Sequence, residues 1–219
     1  MADLDEQAHR LTLKLVYYGP ALSGKTTNLV RLHDLLAPEL KGEMMVLETK
    51  NDRTLFFDLL PLGLSAPSGL LIKLRLFTVP GQVAHDSTRK AVLSGADGVV
   101  FVADSQRNQA INNAGSFENL IDNIGRVGQD PATLPLVAQF NKRDLPEILS
   151  EQQIMEQWRG TPWPVLFACA LQGRGVIETL AELLGRVYQA VDPRLALGKD
   201  HGLDQQQFIT GLLGGSHGQ

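Results

Sequence analysis

The chain has 219 residues, of which 43% are hydrophobic and 20% charged, enough for one well-cored soluble domain with a tail. Its formal net charge of −4 comes from 20 basic and 24 acidic residues without charge blocks, which leaves no electrostatic footprint for nucleic acid or an anionic membrane. Cys169 is the only cysteine, so an intrachain disulfide is excluded and a reducing compartment is expected.

The opening "MADLDEQAHR" is acidic and lacks the basic-then-apolar order of a signal peptide, and no apolar run approaches the roughly 18 residues of a spanning helix. A cytoplasmic protein without a direct membrane anchor is expected, because "GGSHGQ" carries no cysteine for prenylation and Ala2 excludes N-myristoylation. Between residues 11 and 191, short branched apolar runs alternate with helical periodicity. That order predicts an α/β fold of three layers, with a mostly parallel central sheet of about six strands and helices on both faces.

"LTLKLVYY" (11–18) reads as the first strand, followed by a helix carrying Leu29, Leu32, Leu35 and Leu36 on one face. "LLIKLRLFTV" alternates at period two, whereas "GVVFVAD" (98–104) is apolar throughout, as a central strand covered on both faces requires. Phe117, Leu120, Ile121, Ile124 and Val127 make a helical stripe before the strand "LPLVAQFN". Ser150 with Gln153 forms a capping box that opens the next helix. "PVLFACA" and a helix through Ile177, Leu180, Leu184, Val187 and Val191 complete a domain over 1–191. After Asp192 and Pro193 the composition turns to Gly, Gln and Asp. Residues 192–219 are therefore expected as a flexible tail, in which "LDQQQFITGLL" could form a short docking helix.

Chemistry begins at "GPALSGKT", Gly19 to Thr26, between a predicted strand and helix. This is a phosphate-binding loop in the context such a loop needs. Gly19 and Gly24 let the backbone of Pro20, Ala21, Leu22, Ser23 and Thr27 wrap phosphate oxygens, Lys25 reaches the β- and γ-phosphates, and Thr26 offers a hydroxyl to Mg²⁺. "FNKRD" (140–144) selects the base: the Asp144 carboxylate can accept two hydrogen bonds from guanine, an edge that adenine lacks. Lys142 would lay its stem along the purine, and Asn141 would tie this loop to the phosphate loop. In "FACALQGRGV", the segment Cys169, Ala170 and Leu171 follows the next strand, and the Ala170 N–H could reach the guanine carbonyl oxygen. The Cys169 thiol itself is expected to be buried and inert.

"TKNDRTLFFDLLP" is loosely specified and holds Arg53 and Thr54 together. Thr54 is a candidate metal-sensing hydroxyl and Arg53 a candidate finger toward the transferring phosphoryl, which makes the segment a candidate switch. In "LFTVPGQ", Gln82 directly after Gly81 is the candidate that orients the attacking water. Thr78 stands where an aspartate usually reaches toward the metal. Its hydroxyl can still hold a metal-bound water, with a weaker grip.

Taken in order, "GPALSGKT", "DRTLFFD", "TVPGQ", "NKRD" and "CAL" resemble the Ras-like small GTPases. The wording "KLVYYGPALSGKTTNL", "DRTLFFDLLPL", "VPGQV", "GVVFVADSQ" and "NKRDLP" resembles the bacterial cell-polarity and gliding-motility family MglA, over residues 11 to 191. The resemblance implies a P-loop fold of Ras type, GTP/GDP and Mg²⁺ as ligands, GTP hydrolysis, and a roadblock-fold activating partner of the MglB type. It also implies that a threonine is usual at Thr78 and that Arg53 is the intrinsic finger. Ala21 departs from the family's glycine, and its methyl projects toward the space needed by the arginine and the water, so slow turnover is expected. "VAHDSTRK" departs from a more aromatic second switch. A divergent paralogue is expected, its effector unidentified. Two other readings stay open: a GTP-binding module with little turnover, and an adenine-specific ATPase or kinase that rests on the phosphate loop alone.

Overall fold

The computed structural model describes residues 2–36, 40, 44–49, 52–79 and 86–214, with backbone alone for 44–49, 52–61 and 86. Among the described residues eight strands form one sheet. They are β1 (Asp3–Asp5), β2 (Arg10–Tyr18), β3 (Met44–Thr49), β4 (Asp52–Ser65), β5 (Leu71–Thr78), β6 (Gly98–Asp104), β7 (Leu136–Asn141) and β8 (Val165–Phe167). The order is β3-β4-β5-β2-β6-β7-β8, with β1 on β2. From β5 to β8 every pairing is parallel, while β1–β2, β3–β4 and β4–β5 are antiparallel. The sheet is thus mostly parallel at its centre and, among the described residues, seven strands across against the expected six or so, with β1 added alongside β2.

Residue pattern explains the order. Every residue of β6 and of β7 is buried, because helices cover both faces at the centre. β2 alternates over its first half, sending Leu11, Leu13, Leu15 and Tyr17 into one core and Val16 and Tyr18 into the other. The register of β4 against β5 shifts between Leu59 and Leu62, where Pro61 has no N–H to give the ladder. Arg53 and Thr54 sit within β4, so their segment is strand where the sequence suggested a loose switch; the apolar run after them pairs with β3 from Leu55 to Leu59.

Two helices flank the first core, α1 (Lys25–Leu35) and α5 (Val176–Leu195). On the other face lie α2 (Asp86–Leu93), α3 (Ala110–Arg126) and α4 (Glu151–Gln157), contributing Leu93, Leu120, Ile124 and Ile154. At Ser150 the capping box is formed in both directions. Among the described residues no helix is long and apolar enough to cross a membrane.

The segment expected as a flexible tail is helical up to Leu213. Helix α5 runs through Pro193, followed by α6 (Leu197–His201) and α7 (Gln205–Leu213). Proline in the last turn loses one N–H, but burial of Leu197, Leu203, Phe208 and Leu212 in the first core outweighs that local signal. Helix α7 opens with its own capping box at Asp204 and Gln207. Gly211 packs so tightly on β4 that a Cβ would stand 2.5 Å from the Leu64 side chain.

Candidate functional site

Four loops meet at the C-terminal edge of β2, β6, β7 and β8, where parallel sheets bind ligands. The loop after β2 turns on two glycines. At Gly19, φ is 148° and a Cβ would lie 2.1 Å from the Val102 carbonyl oxygen; at Gly24, φ is 99° and a Cβ would lie 2.2 Å from Asn141 Nδ2. Side chains are excluded at both points, so the backbone itself faces the site. Leu22 holds φ of 62° without being glycine and is 87% exposed. Ala21 and Thr26 are exposed beside it.

Helix α1 starts at Gly24 with no side-chain cap and no acid in its first turn, which leaves its first N–H groups and the positive end of the helix open to an anion. Lys25 lies directly there, 7% exposed. Its ammonium donates to the carbonyl oxygens of Gly19 at 2.9 Å and Pro20 at 2.6 Å. Burial first, then the nearby Arg89 guanidinium, lower its pKa to about 7. A desolvated ammonium at an uncapped helix start is an environment for a phosphate chain, and the residues present fit one.

Asn141, the last residue of β7, joins the loops. Its Nδ2 donates to the Ser23 carbonyl at 2.9 Å and its Oδ1 accepts the Ala170 N–H at 2.8 Å. The Ala170 amide, expected as a donor to guanine, is buried and donates here to Asn141. Lys142, at φ of 65°, reaches back to Asp104 at 2.6 Å. Asp144 is exposed. Cys169 is buried, and burial followed by the Asp144 carboxylate pushes its thiol up, away from the reactive thiolate. Leu171 is exposed, while its carbonyl accepts from Arg31 at 2.8 Å.

Thr78 ends β5 beside Tyr17 and is buried. Arg53 and Thr54 are placed by their backbone in β4, and Gly81 and Gln82 lie outside the described residues. The structure therefore brings together the loops of Gly19–Thr27, Asn141–Asp144 and Cys169–Leu171. Among the described residues no group of three His, Cys, Asp or Glu could hold a metal. The metal candidates Thr26, Thr54 and Thr78 are neutral hydroxyls, which suits an ion held mainly by phosphate oxygens.

Sequence reasoning missed the buried polar layer beneath these loops. Asn28 donates to the Gly24 carbonyl at 3.0 Å, Gln139 donates to Asn28 Oδ1 and to Thr179 Oγ1 at 2.9 Å each, and Thr179 donates to the Gly175 carbonyl at 2.6 Å. This chain fixes the start of α1 against β7 and α5. Its signal was legible in Gln139, a polar residue inside an otherwise apolar strand. Arg89, buried on α2, was also passed over.

The family model of the ADP-ribosylation factor family matches residues 69–187. The mutual gliding-motility protein MglA of Myxococcus xanthus (strain DK1622) is 44% identical over 180 residues, covering 82% of this chain and 92% of the relative. ADP-ribosylation factor-like protein 6 of Caenorhabditis elegans is 24% identical over 191 residues, covering 83% of this chain and 90% of its own. The Caenorhabditis briggsae protein of the same name is 25% identical with the same coverage. The chain belongs to the Ras-like small GTPases, and among them to the MglA family.

Proposed function

We propose that this protein is a nucleotide-dependent switch that binds GTP or GDP with Mg²⁺ and slowly hydrolyses GTP to GDP and phosphate. The observation that supports this most is the buried Lys25 ammonium at the uncapped start of α1. Gly19 to Thr27 wrap the phosphates, and Lys25 holds the β- and γ-oxygens. Asn141 fixes the base loop to the phosphate loop, Lys142 lies along the purine, Asp144 reads the guanine edge, and Cys169 to Leu171 flank the base. A site that pairs with a guanine edge rejects adenine by roughly 10⁴ or more, which disfavours the ATPase reading.

Thr26, Thr54 and Thr78 are the residues that would hold Mg²⁺. When bound, the ion neutralises charge on the β- and γ-phosphates. Gln82 orients the attacking water, and Arg53 places positive charge on the transferring phosphoryl. Because β4 carries both Arg53 and Thr54, a change in its position moves catalysis and metal holding together. A roadblock-fold partner of the MglB type would act by fixing these residues, and a role in cell polarity or gliding follows the name of the Myxococcus relative. The protein works in the cytoplasm, with an effector still to be identified.

A second reading, a GTP-binding module with little turnover, is favoured by Ala21 at the mouth of the loop. Timed GTP hydrolysis separates the two, run on the wild type and Arg53→Ala, each with and without a roadblock-fold protein. The wild type is expected to form GDP slowly and faster with the partner. Arg53→Ala should keep its GTP affinity and lose at least about tenfold of the stimulated rate, since its charge is needed mainly in the transition state. No GDP in any arm would leave the binding module standing.

A further inference from the structure

We propose that Asp104 is a positioning residue for the base clamp, acting through Lys142; the inference rests on the reading that Lys142 lies along a purine. Asp104 ends β6 and is the cross-strand neighbour of Asn141. It is 5% exposed, and a carboxylate is seldom buried to this degree without a partner. Lys142 Nζ donates to its Oδ2 at 2.6 Å, while its Oδ1 accepts the Gln106 N–H at 3.0 Å.

The backbone of Asp104 is itself held from behind. Asn113, on the first turn of α3, accepts the Asp104 N–H through Oδ1 at 3.0 Å and donates through Nδ2 to the Asp104 carbonyl at 2.8 Å. Both backbone groups of Asp104 are thereby fixed by one side chain. Lysine carries a flexible four-carbon stem, and a stem that wanders makes a poor surface for a purine. Pairing its ammonium to a carboxylate carried on a fixed backbone and held by the Gln106 N–H restricts the stem before the nucleotide arrives. Preorganisation of this kind acts chiefly on the rate at which the ligand leaves.

The coupling is nonlocal, spanning 38 residues, and it joins the loop after β6 to the loop after β7. In this arrangement the backbone of the base clamp is tied to the phosphate loop through Asn141 and Ser23, to the loop after β8 through Asn141 with Ala170 and Arg143 with Ala168, and to the residue after β6 through the Ser105 N–H and the Asn141 carbonyl at 3.0 Å. Asp104 instead acts on the side chain that would meet the base.

The test measures dissociation of a fluorescent GDP analogue from the full-length wild type, Asp104→Asn, Lys142→Met and the double variant, with thermal unfolding of each without nucleotide. Asparagine keeps the shape and an acceptor for Gln106, and methionine keeps the stem without the ammonium. Each single variant is expected to raise the dissociation rate about tenfold. The double variant should be within about twofold of Lys142→Met, because Asp104 has nothing left to position. A purely structural role for Asp104 would instead lower the melting temperature and multiply with Lys142→Met, which would overturn the proposal. So would an unchanged dissociation rate in Lys142→Met, a result available even if Asp104→Asn does not fold. A wild type that binds no guanine nucleotide would overturn the proposed function, and this inference with it; a wild type that binds while Asp104→Asn dissociates normally would overturn this inference alone.

Discussion

Raising the pH from 7 to 8.5 should weaken GDP binding about 15-fold, roughly 1.6 kcal/mol, and Lys25 is the reason. Burial and Arg89 lower its pKa to about 7 in the nucleotide-free protein. A phosphate chain restores an anionic partner and should return the group toward its ordinary value of about 10.4. Between those values, binding must first place a proton on the amine, so affinity falls with pH by up to tenfold per unit. At pH 8 binding should take up about nine-tenths of a proton, given a free pKa near 7. The terminal phosphate is half ionised near pH 6 and about nine-tenths ionised by pH 7, so it contributes little across this window. Stability of the nucleotide-free protein carries the opposite sign. From about pH 7 to 10.4 the unfolded chain holds a proton that the folded Lys25 lacks, so stability rises with pH across the window, and below about pH 7 the cost of the buried charge is fully present. Isothermal titration calorimetry in buffers of different ionisation enthalpy reads the proton uptake, and a fluorescent GDP analogue at constant salt reads the affinity. An affinity that is flat or rises from pH 7 to 8.5, or a proton uptake near zero at pH 8, would refute the placement of Lys25 as a neutralisable, phosphate-facing amine.

Phe208→Ala tests whether α7 belongs to the core: its ring is fully buried and stands 5.5 Å from Tyr188. Such a truncation costs about 3 to 5 kcal/mol, which lowers the melting temperature of a chain this size by roughly 6 to 15 °C. A shift below about 2 °C would detach α7 from the fold. Ala21→Gly is expected to raise intrinsic single-turnover GTP hydrolysis at least about fivefold if, as proposed, the methyl stands in the space that the arginine and the water need. An unchanged rate would remove Ala21 as the brake.

What the sequence made legible divides by distance along the chain. The central strands could be read from unbroken apolar runs, and the capping box at Ser150 from a four-residue word, because each depends on neighbours. The phosphate loop could be read because its residues form one contiguous word, and the positive φ at Gly19 and Gly24 is a local demand, although the close approaches that also exclude a side chain there come from the distant Val102 and Asn141. The C-terminal segment could be read only in part: "LDQQQFITGLL" is open to reading as a short docking helix and contains α7, whereas the continuation of α5 through Pro193 and the helix α6 were not foreseen. Asp192-Pro193 and the scattered glycines carry a local signal of chain breaking, whereas the partners that outweigh it are Tyr188 in α5 and Leu64 in β4, a strand the sequence did not reveal. Gly211 looked like a flexible link and is instead small because Leu64 stands against it. β1 was missed because "DLD" has no apolar pattern; it pairs through the backbone ladder and an ion pair from Asp5 to Arg10. The same division runs through the site. Motif residues that would touch nucleotide sit in local words, while those that hold them still are bonded across long separations: Gln139 to Asn28 over 111 residues, Asn141 to Ser23 over 118, Lys142 to Asp104 over 38. A substitution in a motif should therefore remove a contact. A substitution in the supporting layer leaves every motif intact and loosens the geometry on which binding and turnover depend, so two chains with identical motifs can differ in how long they hold a nucleotide.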